Sequence, residues 1–242
     1  LNSAIFPAEL KQGDYPMLKK ITRARAYSLA ETHQPIAWQG FRSYWDWPAE
    51  INLEGNPNFL ALDQITKGPV AYYWCRTDGT DYYYIGYAFY HNVDWANFPG
   101  NIVPGEVHRH DLEGVLCRVP YYLPHCKPKE GYEVITVCHH QLDHFRYSEG
   151  HRPYVSIEYG GHGIRPCTMP YYQATKTENG LGITDWRLLP FDPIMADAKR
   201  REIIRQNFNN SGVNLPDQWS SNGQYKGLFW SKPDELFKEM MK

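Results

Sequence analysis

At 242 residues, with 25 Lys and Arg against 27 Asp and Glu for a net charge of -2, the chain suits one domain and carries no sustained positive field to hold a phosphate backbone, which excludes nucleic acid as its principal partner. Aromatic residues make up 15% of it although mean hydropathy is only -0.61, so rings are expected to build a β core, with some of them facing sugars or an interface. No stretch approaches the ~20 apolar residues of a membrane helix, and the five cysteines include no CxxC pair; Cys117 and Cys138, inside apolar runs, read as buried thiols.

In chain order, Leu18, Ile21 and Leu29 lie at loosely helical spacing after Pro16, which predicts a short helix or a wrapped arm over 1–33. From Gln34 to Gly68 the text is aromatic and proline-rich ("WQGFRSYWDWPAEINLEGNPNF") and reads as long loops with short edge strands. Two aromatic runs then flank Thr77-Asp78-Gly79-Thr80, a hairpin signal, and predict strands over Val70 to Arg76 and Tyr82 to His91. Three more strands are predicted over Gly114 to Val119, Glu133 to His139 and Tyr154 to Tyr159.

No helix-length periodic segment separates these strands. The expected fold is therefore mainly β: a single-domain antiparallel β-sandwich with long loops and one or two peripheral helices, its core strands within 69–163. A late helix is predicted over 192–209, capped by Asp192 with Pro193 in its first turn, and the turn-rich tail holds a candidate short helix at its end. The sequence begins at Leu1 with no signal-peptide pattern after it, from which a processed start and a secreted protein are expected.

The densest polar group lies in "GEVHRHDLEGVLCRV", residues Gly105 to Val119. In extended backbone Asp111 and Glu113 project together, with Val115 and Cys117 continuing their face, while His110 and Leu112 project to the other side. Two carboxylates this close repel unless a cation intervenes, and His108, across an expected turn, is a third donor. Asp94 is the nearest upstream acid and Glu106 a second candidate. One His with two carboxylates suits Mg²⁺ or Ca²⁺ first, with Mn²⁺, Zn²⁺ or Fe²⁺ also accepting such a set. The alternative is a polar strand end neutralised by Arg109 and the histidines.

The run "HRHDLE" resembles the central motif of the necrosis- and ethylene-inducing peptide 1-like proteins, a Gly-His-Arg-His-Asp-Trp-Glu heptapeptide beside a bound divalent cation. Val107 stands here in place of the leading Gly and Leu112 in place of the Trp. "RPYVSIEYGGHG", Arg152 to Gly163, is similar to a pattern of the related vacuolar-sorting-protein-62-like proteins, as are the aromatic strand "YYYIGYAFYHNVDW" and the late "LPDQW…GLFWSKPDEL". The resemblance implies His108, Asp111 and Glu113 as metal ligands or their close supports, and His162 facing the same cleft. Read from its own surroundings, His162 follows a strand end and a Gly pair, and is either such a group or a turn histidine in solvent.

The second histidine group, "CHHQLDHF", reads as a polar strand end or loop: His140 and His144 would share a face only on a helix, and no cap precedes them. Three functions are open. The first is a cytolysin-like binding protein whose cation recognises a sugar or lipid head group on a target surface, with Trp95, Trp45 and Trp47 as stacking rings. The second is a metal-dependent hydrolase in which His162 or His110 moves a proton. The third is a structural or interaction protein with a stabilising cation.

Overall fold

The computed structural model describes residues 18–41, 44–50, 65–94, 108–121, 131–138, 141–147, 152–167, 180–190 and 232–241. Within them the chain forms β1 (Lys19–Lys20), α1 (Arg23–His33), β2 (Ile36–Gly40), a 3-10 turn (Tyr44–Asp46), β3 (Val70–Thr77), β4 (Tyr82–Asp94), β5 (His108–Pro120), β6 (Tyr132–Cys138), β7 (Gln141–Tyr147), β8 (Tyr154–Ile157), β9 (Ile164–Pro166), β10 (Gly180–Ile183), β11 (Arg187–Pro190) and α2 (Pro233–Met240).

The Asp-Gly signal nucleates the larger sheet. Asp78 Oδ1 accepts from the backbone N–H of Thr80, Asp81 and Tyr82 at 2.9, 2.8 and 3.0 Å, and Gly79 takes the positive φ of 87° that the reversal requires. β3 and β4 then pair with Trp74 opposite Gly86, and the sheet continues in the order β1-β3-β4-β5-β6-β7, with β11 also on β3. A second sheet runs β10-β2-β8-β9. The pairings are antiparallel except β11 with β3 and β2 with β8, which are parallel. The fold is mainly β and sandwich-like, as the strand spacing predicts.

Alternation along β4 explains why its text is aromatic without interruption. Tyr83, Ile85, Tyr87 and Phe89 join the core between the sheets, against Ala37, Val155, Ile157, Ile164 and Ile183 of the second sheet. Tyr84, Ala88 and Tyr90 join a second cluster on the outer face, with Trp74, Leu116 and Ile135. That outer face is covered by α2 through Leu236 and Phe237, and a strand buried on both faces has no reason to alternate polar with apolar. Arg118 pairs with Glu133 and lies 4.5 Å from the Tyr82 ring and 5.0 Å from the Phe237 ring, clamping the helix to the sheet.

α1 begins where Thr22 accepts from Arg25 N–H at 3.3 Å, and it lays Leu29, Ala30 and His33 on the inter-sheet core, where the Tyr87 hydroxyl donates to the Ala30 carbonyl at 2.8 Å. Among the described residues no helix is long and apolar enough to cross a membrane. Cys75, Cys117 and Cys138 are buried free thiols, as expected for the last two.

Two segments differ from the sequence reading. β5 starts at His108 rather than Gly114, so no turn separates His108 from Asp111. β7 is a full strand paired along β6, although its text reads as a strand end or loop. Asp143 and His144 are consecutive on it and so lie on opposite faces: Asp143 faces Arg165 at 3.5 Å, and His144 faces Glu133 at 3.8 Å. No helix forms at 141–147 on which a His140–His144 pair could share a face. The late helix predicted over 192–209 lies outside the described residues, and the short terminal helix is α2.

Gly86 is required by its neighbour. A Cβ there would stand 2.3 Å from the buried Trp74 indole. Gly86→Ala is expected to destabilise the protein by about 1–3 kcal/mol through overpacking, read as a lower urea midpoint with unchanged secondary structure.

Candidate functional site

The long β4–β5 pair fixes the positions of the charged motif. Its register sets Phe89 opposite Glu113, His91 opposite Asp111 and Asp94 opposite His108. Positions 111 and 113 share the inner pleat with the core residues Val115 and Cys117, and with Phe89 and His91 across the ladder. His108, three residues before Asp111, has the opposite parity, as does its partner Asp94. The four predicted ligands therefore divide into an inner pair, Asp111 and Glu113, and an outer pair, His108 and Asp94. The expected turn that would swing His108 inward is not formed. His110 shares the outer pleat. Glu113 is only 5% exposed, an acid carried into the gap between the sheets.

His162 meets this gap from the other sheet. The turn after β8 bends at Gly160, φ 78°, and His162 itself sits at φ 52°, a conformation costing a non-glycine residue of order 1 kcal/mol or more. Its imidazole is fully buried and stacks on that of His91 at 3.8 Å between centroids and 3° between planes. Its Nε2 lies 3.2 Å from Asp46 Oδ1, which also accepts from Gly160 N–H at 2.7 Å. A solvent-facing turn histidine is thereby ruled out.

On the far side of the stack, His91 Nε2 lies 3.4 Å from Gln39 Oε1. The Gln39 amide nitrogen donates to the Gly40 carbonyl at 3.0 Å, so its oxygen faces His91 and the proton of that imidazole sits on Nε2. Burial, then the neighbouring His162, holds the His91 pKa well below its ordinary value. Its other nitrogen, Nδ1, is buried with no hydrogen-bond partner.

Gln39, Asp46 and His91 were not among the sequence candidates. For His91 a signal existed: it is a polar residue at an inner position of an otherwise apolar strand. Asp46 and His162 are 116 residues apart, and nothing local to "YWDW" announces the pairing.

Beyond Glu113, Cys138 is pushed up to about 12 by burial, with the Glu158 and Glu113 carboxylates adding to the effect. Arg165 neutralises this rim, reaching Glu158 at 3.3 Å and Asp143 at 3.5 Å.

The aromatic candidates separate cleanly. Trp45 is 38% exposed, whereas Trp47, two residues on, is 7% exposed in the outer-face core and edge-on to Phe41 at 6.5 Å between ring centroids. Trp47 is therefore a packing residue rather than a stacking ring. Tyr159, missed in the sequence, is 39% exposed, and the Asp46–Gly160 hydrogen bond ties its turn to the turn bearing Trp45. Trp95 and Glu106 lie outside the described residues. Among the described residues no three His, Cys, Asp or Glu side chains form a metal-ligand group, and the side chains of Asp94, His108 and Asp111 are not among those described.

Asp46→Ala is expected to strand two buried donors, each costing about 1–3 kcal/mol, and to lower the thermal midpoint by more than Thr22→Ala, which removes one exposed helix cap worth about 1 kcal/mol. A pH dependence follows from the buried imidazoles. His33 is held down to about 4 by burial, and His91 and His144 are lowered chiefly by the same cause. The unfolded chain binds these protons below about pH 6.5 and the folded chain does not, so stability rises with pH in that window and is lost as pH falls from about 6.5 towards 4, by up to about 1.4 kcal/mol per pH unit per histidine. Urea midpoints at about pH 7.5 and 5 check the sign, with the lower midpoint expected in acid.

No family model matches the chain, and no curated protein or solved structure matches it.

Proposed function

We propose that the protein is a cytolysin-like binding protein that holds a divalent cation at the open end of its sandwich and there recognises a sugar or lipid head group on a target surface. What supports this reading is a line of contacts: Glu113 is buried on β5, the register sets position 111 opposite His91, and the His91–His162 stack leads through Asp46 to the turns that carry two exposed rings, Trp45 and Tyr159. Asp111 and Glu113 would hold the cation, with the His108–Asp94 register pair at the mouth of the same hairpin. A hard or borderline cation there would supply a charge for hydroxyl or phosphate oxygens, while the rings offer faces to a sugar. The donor chemistry fits, because a carboxylate carried into a low-dielectric gap is stabilised by a cation beside it.

The same geometry argues against His162 as the proton-transferring group of a hydrolase. A proton-transferring His162 would have to reach substrate, and its imidazole is fully buried with Nε2 turned to Asp46.

Glycan arrays and vesicles with and without glycosylated head groups test the proposal, each run with added Ca²⁺, Mg²⁺, Mn²⁺ or Zn²⁺ and with chelator. Binding is expected to need the cation, to be lost in Asp111→Ala and Glu113→Ala, and to weaken about tenfold, about 1.4 kcal/mol, in Trp45→Ala. Capture by both the glycan and the glycosylated vesicle points to the sugar; capture only by anionic vesicles points to phosphate. Loss of thermal stability on chelation with no ligand bound in any arm would instead support a purely stabilising cation.

A further inference from the structure

We propose that the corner built by β1, the first turn of α1 and the end of the β3–β4 hairpin is a docking surface for an anionic lipid bilayer, contacted through Lys19, Lys20, Arg23 and Arg25 and the rings of Tyr27 and Tyr121. The surface lies outside the His108–Glu113 motif, and its use needs no divalent cation.

Residues far apart in the sequence meet at this corner. β1 pairs with the end of β3, with Lys19 opposite Thr77 and Lys20 opposite Arg76. Thr22 then caps α1, whose first turn holds Arg23 and Arg25 and no acid. Thr77 in turn stands opposite Tyr83. The Tyr83 ring has the Arg25 guanidinium over it at 5.5 Å and the Tyr121 ring stacked on it at 4.7 Å between centroids. One turn along α1, Tyr27 packs edge-on to Tyr73 at 6.1 Å.

Lys19, Lys20 and Arg23 are exposed and form no ion pair among the described residues. The acids nearest the corner are held in local hydrogen bonds. Asp78 Oδ1 accepts from three backbone N–H groups of its own turn, Asp81 Oδ2 accepts from the Thr80 hydroxyl at 3.2 Å, and Glu31 Oε1 accepts from the Tyr27 hydroxyl at 3.5 Å. A chain of net charge -2 thus places four cations within residues 19–25, and the N-terminal end of α1 adds its partial positive charge to them.

The rings select the class of anionic partner. Tyr27, 44% exposed, and Tyr121, 38% exposed, are two of the six exposed large hydrophobic side chains among the described residues, and both fall at this corner. A phenol has an apolar body and a polar tip, and lysine and arginine carry charged heads on apolar stems. That layering matches the head-group region of a bilayer, where phosphate lies above acyl chain. A nucleic-acid strand would follow a longer positive track than this corner supplies.

Flotation of the full chain with lipid vesicles, in chelator throughout, tests this. Vesicles of phosphatidylcholine with phosphatidylserine should capture the protein about tenfold or more tightly than phosphatidylcholine alone, and capture should fall about tenfold or more between about 0.05 and 0.5 M salt. Lys19→Gln with Lys20→Gln should lower the affinity about tenfold or more. Lys67→Gln with Lys238→Gln, an equal change in net charge at exposed lysines elsewhere, should leave it within about twofold. Tyr27→Ala with Tyr121→Ala should weaken it about threefold or more. Equal capture by neutral vesicles, or capture indifferent to salt, to the β1 lysines or to the two rings, overturns the inference, as does tighter binding to a single-stranded oligonucleotide than to the anionic vesicles. Capture that appears only when a divalent cation is restored also overturns it and leaves the cation reading standing. The lipid and salt arms use the unaltered protein and decide the matter even if a variant does not fold.

Discussion

The stacked imidazoles of His91 and His162 are the contact through which the larger sheet meets the turn after β8, and the candidate site depends on it. They bring together four segments that share no local sequence: β4 through His91, the turn after β8 through His162, β2 through Gln39 and the 3-10 turn through Asp46. Each ring has its Nε2 facing an oxygen, and the pair lies between β4 of the larger sheet and the turn after β8 of the smaller one. In so dry a setting such hydrogen bonds are stronger than at the surface, and an unmade one is correspondingly costly. The left-handed backbone at His162 shows the same constraint, since a non-glycine residue persists there only when its surroundings over-determine it. The rings that face solvent, Trp45 and Tyr159, inherit their positions from this buried base.

The larger sheet sets the conditions for that base. With the inter-sheet core on one side and α2 with Trp47, Trp74 and Leu116 on the other, its central strands have no solvent face. Tyrosine suits such strands because it fills space as Phe does and carries a hydroxyl to a distant acceptor, as Tyr87 does to Ala30. This reconciles a high aromatic content with a low mean hydropathy. The large rings also demand gaps: Trp74 lies over Gly86, and Trp38 over Gly180. In a sheet this apolar, Glu113 and His91 stand out as inner positions that packing alone does not account for.

What was legible in the sequence follows the strength of local patterning. The β3–β4 hairpin was readable because Asp78-Gly79 specifies a reversal and aromatic runs flank it. The mainly-β sandwich followed from strand spacing without helical intervals. β5 was read six residues too short because "HRHDLE" looks like a solvated turn, whereas its backbone pairs with β4 as far as His108. β7 was hidden likewise, its Asp143 and His144 each meeting a charge on a different face. The short strands β10 and β11 owe their existence to β2 and β3, neighbours distant in sequence. Trp45 and Trp47 show how far such reading reaches: one aromatic-acid-aromatic triplet places one indole in solvent and the other in the core, and only the 3-10 turn decides which.

The division of the charged motif into inner and outer positions bears on how such motifs are read. As text, "HRHDLE" offers one imidazole and two carboxylates within six residues, and a turn would gather all three. As a strand it cannot: positions 111 and 113 share a pleat and position 108 does not. The ladder instead sets His91, on β4, opposite position 111. A strand pair thus sets opposite each other residues 20 apart in sequence, where a turn would gather near neighbours. Which histidine stands opposite the inner positions of the motif is therefore set by the register of β4 and β5 rather than by the spacing of the motif.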